Sequence, residues 1–452
     1  IYNMSKDIHI KRGLNIPLQG ESDKKITSSK SPTQYAIQPP DFYGLTPKLS
    51  VKTNDTVVAG DVLFYDKNQE QIKFTSPVSG TIANIKRGAK RKILTVEILA
   101  DAKDTFKDFG KADANTLSRD QIKEKLLQSG CWPYIKQRPY DVVADPNATP
   151  KAIFISAYNT VPLAADFAFI LKDRKEAFAA GITVLSKLTD GAVNLGINSK
   201  DADFFSAIAD ANVYNVSGKH PAGNVSFQIA KIDPINQGEK VWVVSPQDVA
   251  IIGALFLTGY YNPTRTIAIA GVGVEEPQYY TLKTGQHLEE LFSEILVNGN
   301  FRLISGNVLS GERIFKNSYL RYFANSICVI PEGNHYDFLG WHPFIGNNKL
   351  SLSRTFFSWL TPNKKYNLDT NLNGEERALV VTGEMEQVFP MNIYPLQLLK
   401  AAMADDIEKM ENLGIYEVAP EDFALIDFTN TSKLEAQEII RYALDVMVKE
   451  VG

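Results

Sequence analysis

Between Pro47 and Leu99 the apolar residues come in runs of two or three, and turn residues interrupt them every few positions. Leu49–Val51, Val57–Val58 and Val62–Phe64 alternate with turns at Asn54–Asp55 and Ala59–Gly60–Asp61. A closing segment follows in which Leu94, Val96 and Ile98 alternate with Thr95 and Glu97. A helix cannot bury residues spaced this way. Short strands with turns at close, regular intervals imply a small all-β sandwich or barrel.

Within that region, Val57-Val58-Ala59-Gly60-Asp61-Val62-Leu63-Phe64 precedes Ser76-Pro77-Val78-Ser79-Gly80-Thr81-Ile82. This order resembles the barrel-sandwich hybrid of biotinyl and lipoyl domains, where glycines serve turns too tight for a side chain. Lys67 follows Asp66, as in a lipoylated hairpin. It stands too early after Gly60 and too far before Pro77 for that role, so it reads as an exposed turn lysine.

Beyond the polar stretch Asp101 to Asn115, expected to be a linker, the periodicity changes. Ala152–Ser156, Ala192–Ile197 and Asn212–Val216 read as strands, with an alanine-rich helical stretch after the first and a helix over Asp203–Ala211. Strands alternating with helices imply a Rossmann-like α/β unit with a parallel sheet. Ser245 and Pro246 open a further helix as N-cap and first residue. Strands at Thr266–Ala270, Tyr279–Leu282 and Phe301–Ile304 bracket a helix carrying Leu288, Leu291, Phe292, Ile295 and Leu296 at helical spacing. That pattern is similar to an SLBB-type β-grasp domain. The last 120 or so residues begin irregular and aromatic-rich and end helical. One stripe runs Leu396, Leu399, Met403, Ile407, Met410 to a stop at Gly414. Another carries Ile440, Leu444, Met447, Val448 and Val451 behind a capping box at Ser432 and Glu435.

The fold class is therefore α/β and β multidomain. The expected units are an N-terminal segment plus barrel-sandwich hybrid (1–100), a Rossmann-like α/β domain (101–240), a linking helix plus β-grasp (241–330) and a largely helical C-terminal domain (331–452). A length of 452 residues accommodates three or four domains. Two readings of the start stand side by side: Met4 as initiator, or Ile1–Asn3 as native residues.

A formal net charge of −4 gives no overall basic field to hold a nucleic-acid backbone. Cys131 and Cys328 are too few for an iron–sulfur cluster and read as buried free thiols in a reducing compartment. The longest strongly apolar run, Val249–Leu257, falls well short of the roughly 20 residues of a spanning helix.

Chemical motifs fail one by one. Gly271-Val272-Gly273 follows a strand, but Glu276 replaces the third glycine and Pro277 with a strand replaces the helix that a pyrophosphate needs. His9, His220, His287, His335 and His342 include no i, i+4 pair and no neighbouring cysteine. Ser353-Arg354-Thr355, Glu376/Arg377 and Glu384/Glu386 read as loop or surface charges. The spacing marks no catalytic, cofactor-binding or metal-ligating residue.

Several stretches resemble one family in order along the chain. Gly13-Leu14-Asn15-Ile16-Pro17-Leu18-Gln19-Gly20 is similar to its G-L-D-L-P-I-x-G opening. Ser156–Asp166, Gly218-Lys219-His220-Pro221-Ala222-Gly223, Arg302–Gly311, Gly340-Trp341-x-x-Phe344, Ser351–Trp359, Gly374–Pro390 and Glu421–Leu425 continue it. The family is that of the A subunits of sodium-translocating NADH:quinone reductases (NqrA), related to the C subunit of the Rnf complex and the flavin-carrying subunit of respiratory complex I. Those relatives hold flavin and nucleotide on a glycine-rich loop. The corresponding stretch here is Gly130-Cys131-Trp132-Pro133-Tyr134-Ile135-Lys136, where Trp132 and Tyr134 stand among the replacements.

The resemblance implies a peripheral subunit on the cytoplasmic face of the bacterial inner membrane, with subunits B to F as partners and ubiquinone as a further one. NADH, flavins, the iron–sulfur cluster and quinone would be handled by other subunits. The chain itself would be a cofactor-free scaffold near the quinone-reducing part, not catalytic alone. The rival readings are an Rnf-like flavin/NADH oxidoreductase and a β-grasp module for quinone or a glycan. Phe356, Phe357, Trp359, Phe389 and Tyr394 either pack on partners or fill interfaces within the chain.

Overall fold

A computed structural model describes residues 7–205, 208–344 and 348–452. Met4 and the three residues before it lie outside them. Two small sheets form the barrel-sandwich hybrid. One holds Gln34–Ile37, Ile93–Ala100, Gly80–Arg87 and Thr56–Val57, and the other Pro47–Leu49, Val62–Asp66 and Lys73–Thr75. Val57, Leu63, Phe64, Phe74, Ile82, Val96 and Ile98 fill the space between them. Leu94 departs from the expected alternation. A register shift after Lys86 pairs Arg87 with Ile93, turning Ile93 inward and leaving Leu94 39% exposed.

The α/β unit has a seven-stranded sheet ordered Asp7–Ile10, Asn212–Gly218, Val193–Ile197, Ile153–Ser156, Val241–Val243, Lys136–Arg138 and Val142–Val143. The first five strands are parallel; Lys136–Arg138 runs against them, and Val142–Val143 pairs antiparallel with it. Its central strands are buried apolar runs, as a sheet covered on both faces requires. The apolar run at 249–257 lies in the helix Pro246–Thr258, which packs on Lys175–Ser186. No helix among the described residues is long and apolar enough to cross a membrane.

A six-stranded mixed sheet follows: Glu312–Ile314, Phe301–Ser305, Ser326–Pro331, Thr264–Ala270, Gln278–Lys283 and Asp23–Ser28, with Glu289–Ile295 as its helix. Leu291, Phe292 and Ile295 are buried against it. The first thirty residues thus supply an edge strand to each of the two larger sheets. The C-terminal helices Glu384–Val388, Pro395–Met403, Ile407–Asn412, Ala424–Thr429 and Ala436–Glu450 share a core with Ile10, Val216 and Phe227 of the α/β unit and Ala270, Ile304 and Cys328 of the six-stranded sheet.

Four further sequence expectations need correction. The helix expected over 203–211 spans only Ala202–Phe205; residues 206–207 lie outside the described residues, and 208–211 are not helical. The stretch 101–115 is no free linker, because Ala59 N donates to Thr105 O, Lys107 N to Ala59 O and Phe109 N to Gly259 O, all at 2.8–2.9 Å. The stripe from Leu396 to Met410 breaks into two helices at Asp405, whose φ is +51°, and Met403 is 56% exposed. The terminal helix begins at Ala436 rather than Ser432; of its stripe, Ile440, Leu444 and Met447 are inside while Val448 and Val451 are exposed. Its first N–H groups donate to the carboxylate of Asp427, with Ala436 N at 2.6 Å from Oδ1.

Candidate functional site

The stretch aligned with a flavin loop begins where the helix Arg119–Ser129 ends. Ser118 and Gln121 cap its start reciprocally, and Gly130 closes its end with φ +77°. A Cβ at Gly130 would overlap the Thr75 side chain, so the loop lies directly against the barrel. Trp132–Tyr134 then form one 3₁₀ turn whose side chains are fully buried. Trp132 Nε1 donates to Ala144 O at 2.8 Å, and its ring meets Trp242 edge-on at 5.3 Å. Tyr134 stacks on Tyr322 at 4.8 Å, and its hydroxyl lies 3.0 Å from that of Tyr261. Tyr322 donates to Gly130 O at 3.3 Å. The Arg265 guanidinium sits over Tyr134 and pairs with Asp248.

An anion site at such a loop needs unpaired backbone N–H groups and room beside them. Here the N–H groups of Cys131, Tyr134 and Ile135 already donate to Leu126, Cys131 and Trp132 carbonyls. Three large rings fill the adjoining volume. The residues present do not fit a flavin phosphate. Cys131 and Cys328 are both free and buried, and burial pushes each thiol up to about 12, so neither offers a thiolate at neutral pH.

The second place to test is the carboxyl edge of the parallel sheet, where the strand order reverses beside Ile153–Ser156. There Ser156 Oγ donates to Gly223 O at 2.7 Å and accepts from Gln228 Nε2 at 2.8 Å. Thr160 Oγ1 lies 3.1 Å from His220 Nδ1 and accepts from Gly223 N at 2.9 Å. Tyr158 OH donates to Gly218 O at 3.0 Å. Burial pushes the His220 imidazole down to about 4, leaving it neutral under ordinary conditions. Asn15 Oδ1 accepts from His220 N, and Leu14 N donates to His220 O. The crevice that a nucleotide would use is bridged by these contacts, and the 218–223 turn fastens the N-terminal strand.

Other sequence features fall where the chemistry placed them. Gly271–Gly273 form a turn leading to the strand Gln278–Lys283, and Lys67 is an exposed turn residue. His9 bonds Ser217, His287 bonds Asn317 O, and His335 lies 3.6 Å from Asp369. No set of three or more metal-ligating side chains occurs among the described residues. The aromatic residues divide: Phe389 is wholly buried, while Phe357, Trp359 and Tyr394 are exposed. Four more that spacing did not single out are exposed as well, Tyr336, Phe338, Trp341 (68% exposed) and Phe344 (78% exposed). Phe344 meets Phe357 edge-on at 5.4 Å, and Arg354 lies over Trp359 at 5.7 Å. Their signal in the sequence is aromatic density without any period that could bury it.

Three family models match the chain: an NqrA N-terminal barrel-sandwich hybrid domain over residues 8–101, an NqrA second alpha/beta domain over 117–261, and an NQRA C-terminal domain over 266–315. The A subunit of a Na(+)-translocating NADH-quinone reductase from Pasteurella multocida is 37% identical over 446 residues, covering 98% of this chain and all of that one. The proteins of the same name from Hahella chejuensis and Vibrio anguillarum are 37% and 35% identical, again over 98% of this chain. Among solved structures, an NAD+-reducing [NiFe]-hydrogenase aligns over 77% of this chain and 67% of its own, at 10% identity and a TM-score of 0.40.

Proposed function

Because this chain belongs to the NqrA family, the A subunits of Na(+)-translocating NADH-quinone reductases, we propose that it is the cofactor-free, peripheral scaffold of that complex. It acts as one subunit of a sodium-translocating oxidoreductase assembly. In this reading it sits on the cytoplasmic face of the bacterial inner membrane near the quinone-reducing part. It binds subunits B to F, ubiquinone being a further partner of the assembled site, while flavin and cluster chemistry stays on those subunits. Its working units divide near 100 and 330, and the strand Val241–Val243 and the helix Pro246–Thr258 pack with the α/β sheet, so that unit runs past 240.

The observation carrying this proposal is the run of exposed aromatic side chains Tyr336, Phe338, Trp341, Phe344, Phe357 and Trp359, within which Phe344 packs on Phe357. Exposed aromatic side chains are costly to leave in water, and where they meet, as Phe344 and Phe357 do, they mark contact surfaces. The filled 130–136 loop supports the cofactor-free part. A tagged chain carrying Tyr336→Ser, Phe338→Ser, Trp341→Ser and Phe344→Ser is expected to keep its melting temperature and to lose the membrane subunits on mild-detergent purification. Undiminished capture of those subunits by the variant would sink the proposal. A yellow preparation with NADH oxidase activity from the intact chain alone would favour the Rnf-like alternative.

A further inference from the structure

The antiparallel pair Gly80–Arg87 and Ile93–Ala100 is joined by a tip that carries Lys86, Arg87, Lys90, Arg91 and Lys92, five cations in seven positions. All five side chains are exposed. Lys86 pairs with Glu97 at 2.7 Å, and Arg87 Nη1 donates to the Arg91 carbonyl at 3.3 Å. Among the described residues, no other ion pair reaches the tip. A formal net charge of −4 therefore conceals a compact positive field at one end of the barrel-sandwich hybrid.

The backbone at the tip is unusual. Lys90 and Arg91 have φ of +51° and +60°, consecutive left-handed positions of the kind a tight hairpin usually gives to asparagine and glycine. Gly88 N donates to Lys92 O and Lys92 N to Ala89 O, which holds the turn closed. Two long cations thus occupy strained positions that glycine would fill without strain. Leu94 lies against Gly88 and is partly exposed, adding an apolar side chain beside the charges.

We propose that this hairpin tip is a docking site for the phosphate headgroups of an anionic bilayer. Clustered lysines and arginines attract such a surface additively, within about a Debye length of 8–10 Å, and an adjoining leucine can enter the headgroup layer. The inference goes beyond the subunit-contact reading. It rests on the chain working at a membrane, and uses none of the aromatic residues that carry the other proposal.

The test is co-sedimentation of the full chain with vesicles of phosphatidylcholine alone or with about one-third phosphatidylglycerol. Binding is expected only to the anionic vesicles and is expected to disappear at high salt. The triple variant K90E/R91E/K92E should bind at least tenfold more weakly. A second variant, K90G/R91G, removes two charges and relieves the strained backbone, so weaker binding by it cannot be blamed on misfolding. The charge-matched control K11E/K231E/K449E should bind as the intact chain does. Salt-insensitive binding, no binding by the intact chain, or equal binding by the tip variants overturns the proposal. Vesicle binding unchanged in K90E/R91E/K92E with capture of the membrane subunits lost would overturn it in favour of an acidic protein surface. The aromatic-surface variant should still bind vesicles, so the two proposals fail separately.

Discussion

The guanidinium of Arg265 and the carboxylate of Asp248 form an ion pair sealed from solvent on both sides. Asp248 lies in the first turn of the helix Pro246–Thr258, and Arg265 on the strand Thr264–Ala270 of the six-stranded sheet. Gln247 bonds both the N–H and the carbonyl of Thr266, at 2.9 and 3.0 Å, so two neighbouring residues clamp the α/β unit to the β-grasp sheet.

Removing one partner of a buried pair strands a charge without solvent. Asp248→Ala is expected to lower unfolding free energy by about 3–5 kcal/mol. The double variant Asp248→Leu/Arg265→Met, which removes both charges, should recover most of that loss. Denaturant unfolding of the three proteins checks this, and an equal loss in single and double variants would mean the pair is not the cause.

Trp132 is the keystone of the filled loop, touching Trp242 by its ring and Ala144 by its indole N–H. Trp132→Ala should cost about 3–5 kcal/mol, because it opens a cavity and leaves the Ala144 carbonyl without that donor. Trp132→Phe keeps much of the volume and should cost clearly less. Thermal unfolding, with near-UV circular dichroism following the aromatic pair, measures both.

The carboxyl group of Asp427 is pushed up to about 6, chiefly by burial, against an unfolded value of about 3.9. Below pH 4 it is protonated in both states and imposes no penalty. As pH rises from 4 to 6 the unfolded chain ionises while the folded chain still holds its proton, so this contribution to stability falls with pH. Asp427→Asn keeps an acceptor oxygen for the N–H of Ala436 and gives up the one that takes Gln437, a loss that does not vary with pH. Its stability is expected to stay level across that window, where the parent loses about 2–3 kcal/mol from this group. Denaturant midpoints at pH 4, 5 and 6 read the difference.

The same carboxylate shows why local signals stop short. Ser432 and Glu435 have the spacing of a capping box, yet the helix starts later and takes its cap from Asp427. Sequence spacing reports which residues could cap, and tertiary contact decides which one does. The barrel and the strand–helix alternation were legible because each element's periodicity is contained within ten or fifteen residues. Asp7–Ile10 was not, since four residues, two of them polar, become a strand only by pairing with Asn215–Gly218, some two hundred positions away. The loop at 130–136 was half legible. Trp132 and Tyr134 betray lost glycines, but Trp242, Tyr261 and Tyr322, which complete the filling, are distant in sequence.

Gly181 and Gly253 mark the closest approach of the helices Lys175–Ser186 and Pro246–Thr258. A Cβ on Gly253 would overlap the carbonyl oxygen of Ala177, and one on Gly181 that of Val249. Alanine is otherwise the better helix former, by about 1 kcal/mol over glycine. Gly253→Ala should nonetheless destabilise by about 1–3 kcal/mol, because the obstructing atoms are backbone and the helices must separate as bodies. Gly181→Ala should behave alike. The double variant should cost less than the sum, since helices already parted by one methyl group have room for the second. Urea unfolding of the two singles and the double decides it: additive losses would show that each glycine is crowded independently, and a gain in stability that neither is crowded at all.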